Sequence, residues 1–241
     1  MSNQQWQPVE LPTEASPSTE RRRARIVRLL WRAEVFYGAG LLAFAALAFF
    51  AYSYAHFGWD ATVQQMIRRI SLPGFGGLMR IISIAGDGKK PHTIAGLTCV
   101  VFLLTRLRAE AAGLLLSTGG SGIMNMVIKM FIGRPRPALP PGDIFIQYSG
   151  NSFPSGHVTF YVCYFGFLFF LAYALLPRHS LIQRLALLSA VLPVALIGLS
   201  RVHLLAHWPS DTLGAYLLGG LWLAFSLDIY RRWKTTPRLS S

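Results

Sequence analysis

The sequence has few charged residues for its length. They make up 14% of its 241 residues, whereas about a quarter is typical of a soluble domain. Hydrophobic residues, in contrast, make up 53% of the chain. This composition argues against a large soluble domain and favours a chain that lies in a membrane.

Acidic residues are scarce even within this small charged fraction. The chain has 10 Asp and Glu residues against 23 Lys and Arg residues. In a soluble protein such a basic excess would suggest nucleic-acid binding. Here the basic residues lie between apolar runs, so orientation in a membrane explains them better. We therefore expect membrane lipids as partners and no nucleic acid.

The sequence has only two cysteines, Cys99 and Cys163, and each lies within an apolar run. Such cysteines usually behave as small buried hydrophobic residues. No Cys/His cluster has the spacing of a zinc site, and no group of carboxylates suits a divalent cation. The sequence therefore predicts neither a metal ion nor a cofactor.

The N-terminal residues lack an apolar run. Residues 1–32 combine Pro, Ser, Thr and Glu with a basic end, and we expect a disordered cytoplasmic tail. No apolar segment follows a short basic start, so we expect no cleavable signal peptide. The predicted membrane domain covers residues 33–234, and residues 235–241 form a second cytoplasmic tail.

Six apolar segments predict an all-α bundle of six transmembrane helices. The segments are 35–54, 91–105, 111–128, 158–176, 185–199 and 213–227. The third is rich in glycine and serine, which let membrane helices approach closely, so we place it centrally. Within the stretch 58–90, Val63, Met66, Ile67 and Ile70 have helical spacing. They predict an amphipathic helix that lies in the membrane interface or caps the bundle.

The basic residues predict how these spans are oriented. If the six spans alternate, 14 of the 23 Lys and Arg residues fall on one side, and the side rich in basic residues is cytoplasmic. They are Arg21, Arg22, Arg23, Arg25, Arg28, Arg32, Arg106, Arg108, Arg178, Arg184, Arg231, Arg232, Lys234 and Arg238. Both termini are therefore expected in the cytoplasm. The remaining basic residues lie on the outer side and require another explanation.

Polar residues cluster where the predicted spans meet the outer side. The three clusters are Lys129, Arg134 and Arg136; Pro154, Ser155, Gly156 and His157; and Ser200, Arg201, His207 and Asp211. The topology places all three at one membrane depth, so a helix bundle can bring them together.

These residue types suit the chemistry of a phosphate group. Lysine and arginine bind anions, and the start of a helix presents free N–H groups and a positive dipole end. Two histidines supply a nucleophile and a proton donor. Asp211, four residues after His207, can hold one imidazole nitrogen and leave the other free to attack.

At these clusters the sequence resembles the type 2 phosphatidic acid phosphatase (PAP2) superfamily. The family pattern is K-x6-RP, then PSGH, then SR-x5-H-x3-D. The matching residues are Lys129, Arg136 and Pro137; Pro154, Ser155, Gly156 and His157; and Ser200, Arg201, His207 and Asp211. The motifs cover residues 129–211, and the six-span layout extends the resemblance over most of the chain.

The resemblance implies a role for each matching side chain. His207 is the expected nucleophile and forms a phosphohistidine, Asp211 orients it, and His157 protonates the leaving oxygen. No metal is implied. The expected phosphate-binding residues are Lys129, Arg136, Ser155, Gly156 and Arg201.

Four polar residues near the motifs receive other interpretations. The six-residue spacing selects Arg136 rather than Arg134, whose part in phosphate binding is left open. His203 is interpreted as interfacial packing. Asp87 and Asp143 are interpreted as solvated loop residues.

The predicted function is metal-independent hydrolysis of a lipid phosphate or diphosphate in a bacterial inner membrane, with the site on the outer face. Undecaprenyl diphosphate is preferred, because the short stretch 138–153 offers no domain for a larger headgroup. The alternatives are a phosphatidate, phosphatidylglycerophosphate or lipid A phosphatase, a lipid phosphotransferase, a vanadium haloperoxidase and a non-catalytic lipid-binding protein. Oligomeric state is left open.

Overall fold

A computed structural model describes residues 17–138 and 148–235 of the chain, with side chains from Glu34 onward. Within these ranges every regular element is a helix, as the sequence predicts. The backbone divides into two units, Met1–Ala39 and Gly40–Ser241. The described part of the first unit is the beginning of one long helix. The second unit contains all the predicted site residues.

The described ranges contain nine α-helices. They are α1 (Pro17–Ser53), α2 (Asp60–Arg68), α3 (Phe75–Ser83), α4 (Lys90–Leu104), α5 (Arg108–Leu115), α6 (Ser121–Ile132), α7 (Gly156–Leu175), α8 (Leu181–His203) and α9 (Pro209–Thr235). A 3₁₀ turn, Ile84–Gly86, follows α3. A π-helical turn, Leu116–Gly120, joins α5 to α6, so that Arg108–Ile132 is one continuous helix.

Five described helical segments are long and apolar enough to cross a membrane. They are Glu34–Ser53, Arg108–Ile132, Gly156–Leu175, Leu181–His203 and Pro209–Thr235, and they match five of the six predicted spans. The predicted span 91–105 corresponds to α4, which has 15 residues. At 1.5 Å per residue α4 covers about 22 Å, less than the ~30 Å hydrocarbon core. The count of six spanning helices is therefore not confirmed.

The N-terminal region differs from its prediction. In place of a disordered tail over 1–32, the chain is helical from Pro17 onward. Proline is favoured at the first position of a helix, and the Arg, Ala and Leu residues that follow are good helix formers. Residues 1–16 and 236–241 lie outside the described part.

The predicted amphipathic helix corresponds to α2. Pro73 and Gly74 then separate α2 from α3, and Gly74 has a φ of 79°, which favours glycine. On α2, Asp60 and Gln64 are buried, whereas Met66 is 61% exposed. These two polar residues therefore lie on the side of α2 that packs against α8 and α9. Val63, Ile67 and Ile70 are half-buried, and the location of the apolar face in the membrane interface stays a prediction.

α7 is the central helix of the second unit. Nine of its 20 residues are buried, and it packs against α6, α8 and α9. The helix Arg108–Ile132 also approaches its neighbours closely. A Cβ on Gly113 would lie 2.6 Å from the Phe167 ring, and one on Gly120 would lie 2.2 Å from Trp222. The predicted close approach of this glycine-rich segment is confirmed at both positions.

The helix directions bring the polar clusters to one end of the bundle. α6 ends and α7 begins there, and a loop of residues 204–208 joins the end of α8 to the start of α9. Lys129 is in the last turn of α6 and Arg201 in the last turn of α8. His157 and Asp211 are in the first turns of α7 and α9. The three sequence motifs thus share one site.

Candidate active site

A cavity of about 310 Å³ lies where these helix ends meet. Of the eight residues predicted from the motifs, two are fully buried and do not line it: Ser155 and Asp211. The other six line its wall: Lys129, Arg136, Gly156, His157, Arg201 and His207. The structure therefore brings together residues that are far apart in the sequence.

Lys129 is placed by the end of α6. Gly133, with a φ of 66°, ends the helix, and its N–H donates to the Lys129 carbonyl at 3.1 Å. The Lys129 ammonium donates to the carbonyls of Asn151 at 2.8 Å and Ser152 at 3.1 Å. The Asn151 amide donates back to the Lys129 carbonyl at 2.8 Å. These bonds fix the segment before α7 against the end of α6.

Arg136 connects two sides of the cavity. Its Nε donates to the Gly150 carbonyl at 3.0 Å and its Nη2 to the Ser149 carbonyl at 3.2 Å. Its Nη1 donates to the Ala206 carbonyl at 2.6 Å and lies 3.2 Å from Nε2 of His207. The guanidinium is therefore held beside the predicted nucleophile.

Arg201 and Arg136 share an aromatic neighbour that the motifs do not include. Their guanidinium carbons lie 5.2 and 5.7 Å from the centre of the Tyr148 ring, a distance typical of cation–π contacts. Tyr148 also lines the cavity. Burial raises the pKa of its hydroxyl, which stays neutral at ordinary pH. No sequence signal marks Tyr148, because it lies outside every motif.

Two buried polar atoms at this site have no hydrogen-bond partner. They are Oγ of Ser155 and Nε of Arg201, and both belong to predicted phosphate-binding residues. Nη1 of Arg201 does donate to Ser83 Oγ at 2.9 Å. An unpaired buried donor costs about 1–3 kcal/mol, so such atoms call for an explanation. An anion bound in the cavity would explain the missing partners, and it would also fit the surrounding positive charge.

The contacts of His207 determine which of its nitrogens carries the proton. Ser152 donates its hydroxyl hydrogen to Oδ2 of Asp211 at 2.5 Å, so toward His207 Nδ1, at 3.4 Å, it can only accept. Nδ1 therefore carries the hydrogen. Arg136 is a donor, so Nε2 presents its lone pair. Oδ2 of Asp211 lies 3.6 Å from Nδ1, and Ser152 thus links Asp211 to the imidazole.

The pKa of His207 lies well below its ordinary value. Burial is the first cause, because it disfavours the charged imidazolium. Repulsion by Lys129, Arg136 and Arg201 lowers the pKa further. At neutral pH the ring is therefore uncharged, and the Nε2 lone pair remains available.

Both carboxylate oxygens of Asp211 are held by hydrogen bonds. The carboxylate accepts hydrogen bonds from Nη1 of Arg134 at 2.6 Å and from the Trp208 N–H at 2.8 Å. Arg134 is itself buried, pairs with Asp60 at 2.9 Å, and does not line the cavity. The part in phosphate binding that the sequence left open for Arg134 is therefore not supported.

His157 has a carboxylate partner that the sequence interpretation missed. Its Nε2 lies 2.8 Å from Oδ1 of Asp87, which also lines the cavity. This hydrogen bond is the main reason that the pKa of Asp87 is lowered. The interpretation of Asp87 as a solvated loop residue is incomplete, because the side chain, although 47% exposed, also pairs with His157. The turn after α3 brings it to His157 from 70 residues away, which no local pattern reveals.

The His203 ring packs edge-on against Phe75, with ring centres 4.9 Å apart, in agreement with its packing role. Asp143 lies outside the described residues.

Three cationic side chains and one carboxylate line the cavity. Over residues 17–138 and 148–235, no group of three or more His, Cys, Asp or Glu side chains is placed to hold a metal ion. Lys129, Arg136 and Arg201 face the cavity instead, beside the first turn of α7. The N–H groups of that turn add a positive dipole end, so the site suits an anion such as phosphate.

Comparison with known families gives one match that covers just over half of the chain. The model of the PAP2 superfamily matches residues 110–235. Among curated proteins, phosphatidylglycerophosphatase B of Bacillus subtilis is 33% identical over 106 residues, which are 44% of this chain and 51% of that protein. Lipid A 1-phosphatase of Rhizobium etli is 32% identical over 152 residues, 54% of this chain and 58% of that protein. The chain thus spans only about half the length of these relatives.

Solved structures show the same fold over more of the chain. The crystal structure of a transmembrane PAP2-type phosphatidylglycerolphosphate phosphatase from Bacillus subtilis superimposes with a TM-score of 0.69 at 25% identity. The match covers 83% of this chain and 98% of that one. The structure of LpxE from Aquifex aeolicus gives a TM-score of 0.52 at 21% identity, over 71% and 96% of the two chains. The second comparison shows similarity of fold alone.

Proposed function

The chain belongs to the PAP2 superfamily, and we propose that it is a membrane phosphatase that removes phosphate from a lipid without a metal ion. The main support is the composition of one cavity, which is lined by three cationic side chains, two histidines and the start of α7. Cations and N–H groups bind the phosphoryl oxygens, and the histidines supply the chemistry.

Phosphate would be bound by groups that are already in place. Lys129, Arg136 and Arg201 line the cavity, and the N–H groups at Gly156 and His157 lie at the positive end of α7. The unpaired Nε of Arg201 would find an acceptor in a phosphoryl oxygen. Ser155 is assigned to the same oxygens as a further donor, which requires its buried Oγ to turn into the cavity.

In the first chemical step, Nε2 of His207 attacks phosphorus. The Nε2 lone pair forms the N–P bond, the bond from phosphorus to the lipid oxygen breaks, and that oxygen takes the Nδ1 proton of His157. His157 enters this step as the imidazolium, with its Nε2–H donated to Asp87, and leaves it as the neutral ring. Arg136, now 3.2 Å from Nε2, would turn its hydrogen toward a phosphoryl oxygen. Ser152 and Asp211 stabilise the positive charge that develops on the His207 ring.

In the second step, water releases the phosphate. His157 takes a proton from the water, the water oxygen attacks phosphorus, and the N–P bond breaks. Inorganic phosphate leaves and the neutral His207 ring is restored. Asp87, at 2.8 Å from His157, orients that ring in both steps.

The proposed substrate is undecaprenyl diphosphate. A cavity of about 310 Å³ with several cations accommodates a polar group that consists almost entirely of phosphate. The second candidate is phosphatidylglycerophosphate, which is favoured by the names of a curated relative and of a solved structure from Bacillus subtilis. The two share the phosphate end, so the choice depends on contacts with the rest of the lipid.

We further propose that the site faces the outer side of a bacterial inner membrane, with both termini in the cytoplasm. The basic residues Arg108, Arg178 and Lys234 lie near the helix ends remote from the cavity. Basic residues of this kind favour the cytoplasmic side.

The test is phosphate release by the purified full-length protein in detergent. The panel contains undecaprenyl diphosphate, phosphatidylglycerophosphate, phosphatidate and phosphorylated lipid A, each with and without EDTA and with an acceptor lipid. We expect release that survives EDTA, competitive inhibition by vanadate, and the highest kcat/KM for undecaprenyl diphosphate. Transfer to the acceptor lipid instead of water would identify a phosphotransferase, and loss of activity on chelation, restored by Mg²⁺, would exclude the metal-free mechanism.

The covalent intermediate needs a separate measurement. Rapid mixing with a ³²P-labelled lipid should label the wild-type protein at His207, as located by mass spectrometry. His207→Ala should show neither label nor turnover. Asp211→Asn keeps the imidazole but loses its support, so weak turnover should remain. Near-normal turnover by His207→Ala would rule out the phosphohistidine.

A further inference from the structure

A buried ionic network lies behind the candidate nucleophile and outside the family motifs. Arg134 donates to Oδ1 of Asp211 at 2.6 Å and to Oδ2 of Asp60 at 2.9 Å. All three side chains are completely buried. Asp60 begins α2 and Asp211 lies in the first turn of α9. The network therefore connects a short helix that contains no motif residue to the carboxylate beside His207.

We propose that Arg134 and Asp60 are positioning residues that hold Asp211 so that Nε2 of His207 faces the phosphate. This inference rests on the proposed phosphatase function. It assigns a role to Arg134, which the K-x6-RP spacing does not select, and to Asp60, for which the sequence gives no signal.

Every nitrogen of the Arg134 guanidinium donates a hydrogen bond in this network. Nε donates to the Ala55 carbonyl at 3.1 Å, and Nη1 also donates to Ser210 Oγ at 2.8 Å. The Phe57 ring lies 4.7 Å from the guanidinium carbon. A lysine could keep the charge but not this planar set of contacts, because its ammonium is a point charge. The geometry of arginine is therefore required, and not only its charge.

Asp60, like Arg134, is held by several hydrogen bonds. Its Oδ1 accepts from the Ser210 N–H at 2.9 Å, and its Oδ2 accepts from Ser210 Oγ at 2.7 Å and the Phe57 N–H at 2.8 Å. Ser210 immediately precedes Asp211 at the start of α9. Asp60 thus holds both the backbone next to Asp211 and the arginine that binds its carboxylate.

A purely structural role explains this arrangement less well. Buried ion pairs often add little to stability compared with well-packed apolar residues. Here, however, the hydrogen bonds continue from Arg134 through Asp211 and Ser152 to Nδ1 of His207. Support of a reacting group by hydrogen-bonded neighbours commonly determines its orientation. Since Arg134 does not line the cavity, we expect it to affect the chemical step and not lipid binding.

The test compares Arg134→Met, Arg134→Lys and Asp60→Asn in the full-length protein. The control is Asp228→Asn, which removes an exposed ion pair with Arg232. We expect kcat to fall about a hundredfold in Arg134→Met and about tenfold in Asp60→Asn, with KM within about twofold of wild type. Arg134→Lys should recover only part of the loss. The loss should be the same for alkyl and aryl phosphate substrates, because these variants alter attack by His207 and leave proton donation by His157 intact.

The pH profile of kcat/KM gives a readout that a structural defect would not reproduce. The charged groups facing Asp211 are Arg134, Lys129 and Arg136, and the titratable neutral group is His207. Removing the positive charge of Arg134 makes it easier to protonate the titratable groups of this cluster, His207 among them. The acidic limb of the kcat/KM profile should therefore move to higher pH in Arg134→Met. Removing the Asp60 charge has the opposite sign, so Asp60→Asn should leave the limb unchanged or move it to lower pH.

The possible outcomes distinguish a failure of this inference from a failure of the proposed function. An inactive wild-type protein would overturn the phosphatase assignment and the inference with it. The positioning role alone would be overturned if the wild type is active and both Arg134→Met and Asp60→Asn have kcat values within about twofold of that of Asp228→Asn. A raised KM with unchanged kcat would instead place Arg134 in lipid binding. Thermal unfolding in detergent checks folding, and if Arg134→Met does not fold, the nearly isosteric Asp60→Asn decides.

Discussion

The two ring nitrogens of His207 have different partners, and this difference decides which one reacts. Ser152 can only accept from Nδ1, whereas Arg136 can only donate to Nε2. One tautomer satisfies both contacts, and it points a lone pair at the cavity. The spacing of His207 and Asp211 suggests this arrangement, but Ser152, which links them, belongs to no motif.

The lowered pKa of His207 predicts how activity depends on pH. In the folded protein the imidazole stays neutral as the pH falls through about 6.5, its ordinary pKa. The acidic limb of kcat/KM should therefore lie below that value. The unfolded chain binds a proton there and the folded one does not, so stability should also decrease as the pH falls below about 6.5. Activity that is already lost above that pH would contradict a neutral His207.

Asp87 gives a second prediction for a single residue. Asp87→Asn keeps the size of the side chain but removes the carboxylate that orients His157 at 2.8 Å. We expect about a tenfold lower kcat for an alkyl phosphate such as phosphatidate, and a smaller effect for a substrate with a good leaving group. The measurement is kcat on phosphatidate and on an aryl phosphate for wild type, Asp87→Asn and Asp228→Asn. Equal losses on both substrates would argue against a role in proton transfer.

At the scale of elements, the short helices α2 and α3 support residues of the long ones. Ser83 at the end of α3 accepts from Arg201, and the following turn brings Asp87 to His157. Asp60 at the start of α2 reaches Arg134. The motif residues lie on or next to the long helices, whereas several of their partners come from these connecting elements.

The turn after α3 can be tested through Gly86. A Cβ on Gly86 would lie 2.2 Å from Cδ2 of His157, so an alanine there must displace the ring. We expect Gly86→Ala to lower kcat at least about tenfold. The matched control is Gly77→Ala, because a Cβ on Gly77 meets nothing within 4 Å. Similar kcat values for both variants would show that the position of the His157 ring is not critical.

At the scale of the whole molecule, the proposed topology can be tested by cysteine labelling. Ser71 lies between α2 and α3, and Arg178 lies between α7 and α8 at the helix ends remote from the cavity; both are exposed. In a background without Cys99 and Cys163, we expect a membrane-impermeant reagent to label Ser71→Cys from outside intact cells. Arg178→Cys should be labelled only after permeabilisation. The reverse pattern would place the site in the cytoplasm.

The sequence by itself determined the helical class, five of the long apolar helices and the set of motif residues. Apolar runs of sufficient length and fixed motif spacings are local properties, so they can be recognised without the fold. The run 91–105 is already short in the sequence, as α4 is in the structure, whereas local patterns did not show that helix begins at Pro17.

Only the tertiary structure decided the partners of the motif residues. Asp87 and His157 are 70 residues apart, Asp60 and Arg134 are 74 apart, and Ser152 and His207 are 55 apart. No periodicity connects positions so distant, because helix packing alone brings them within hydrogen-bond distance. The motifs therefore identify which groups can react, whereas the packing of α2, α3 and α9 determines how those groups are held.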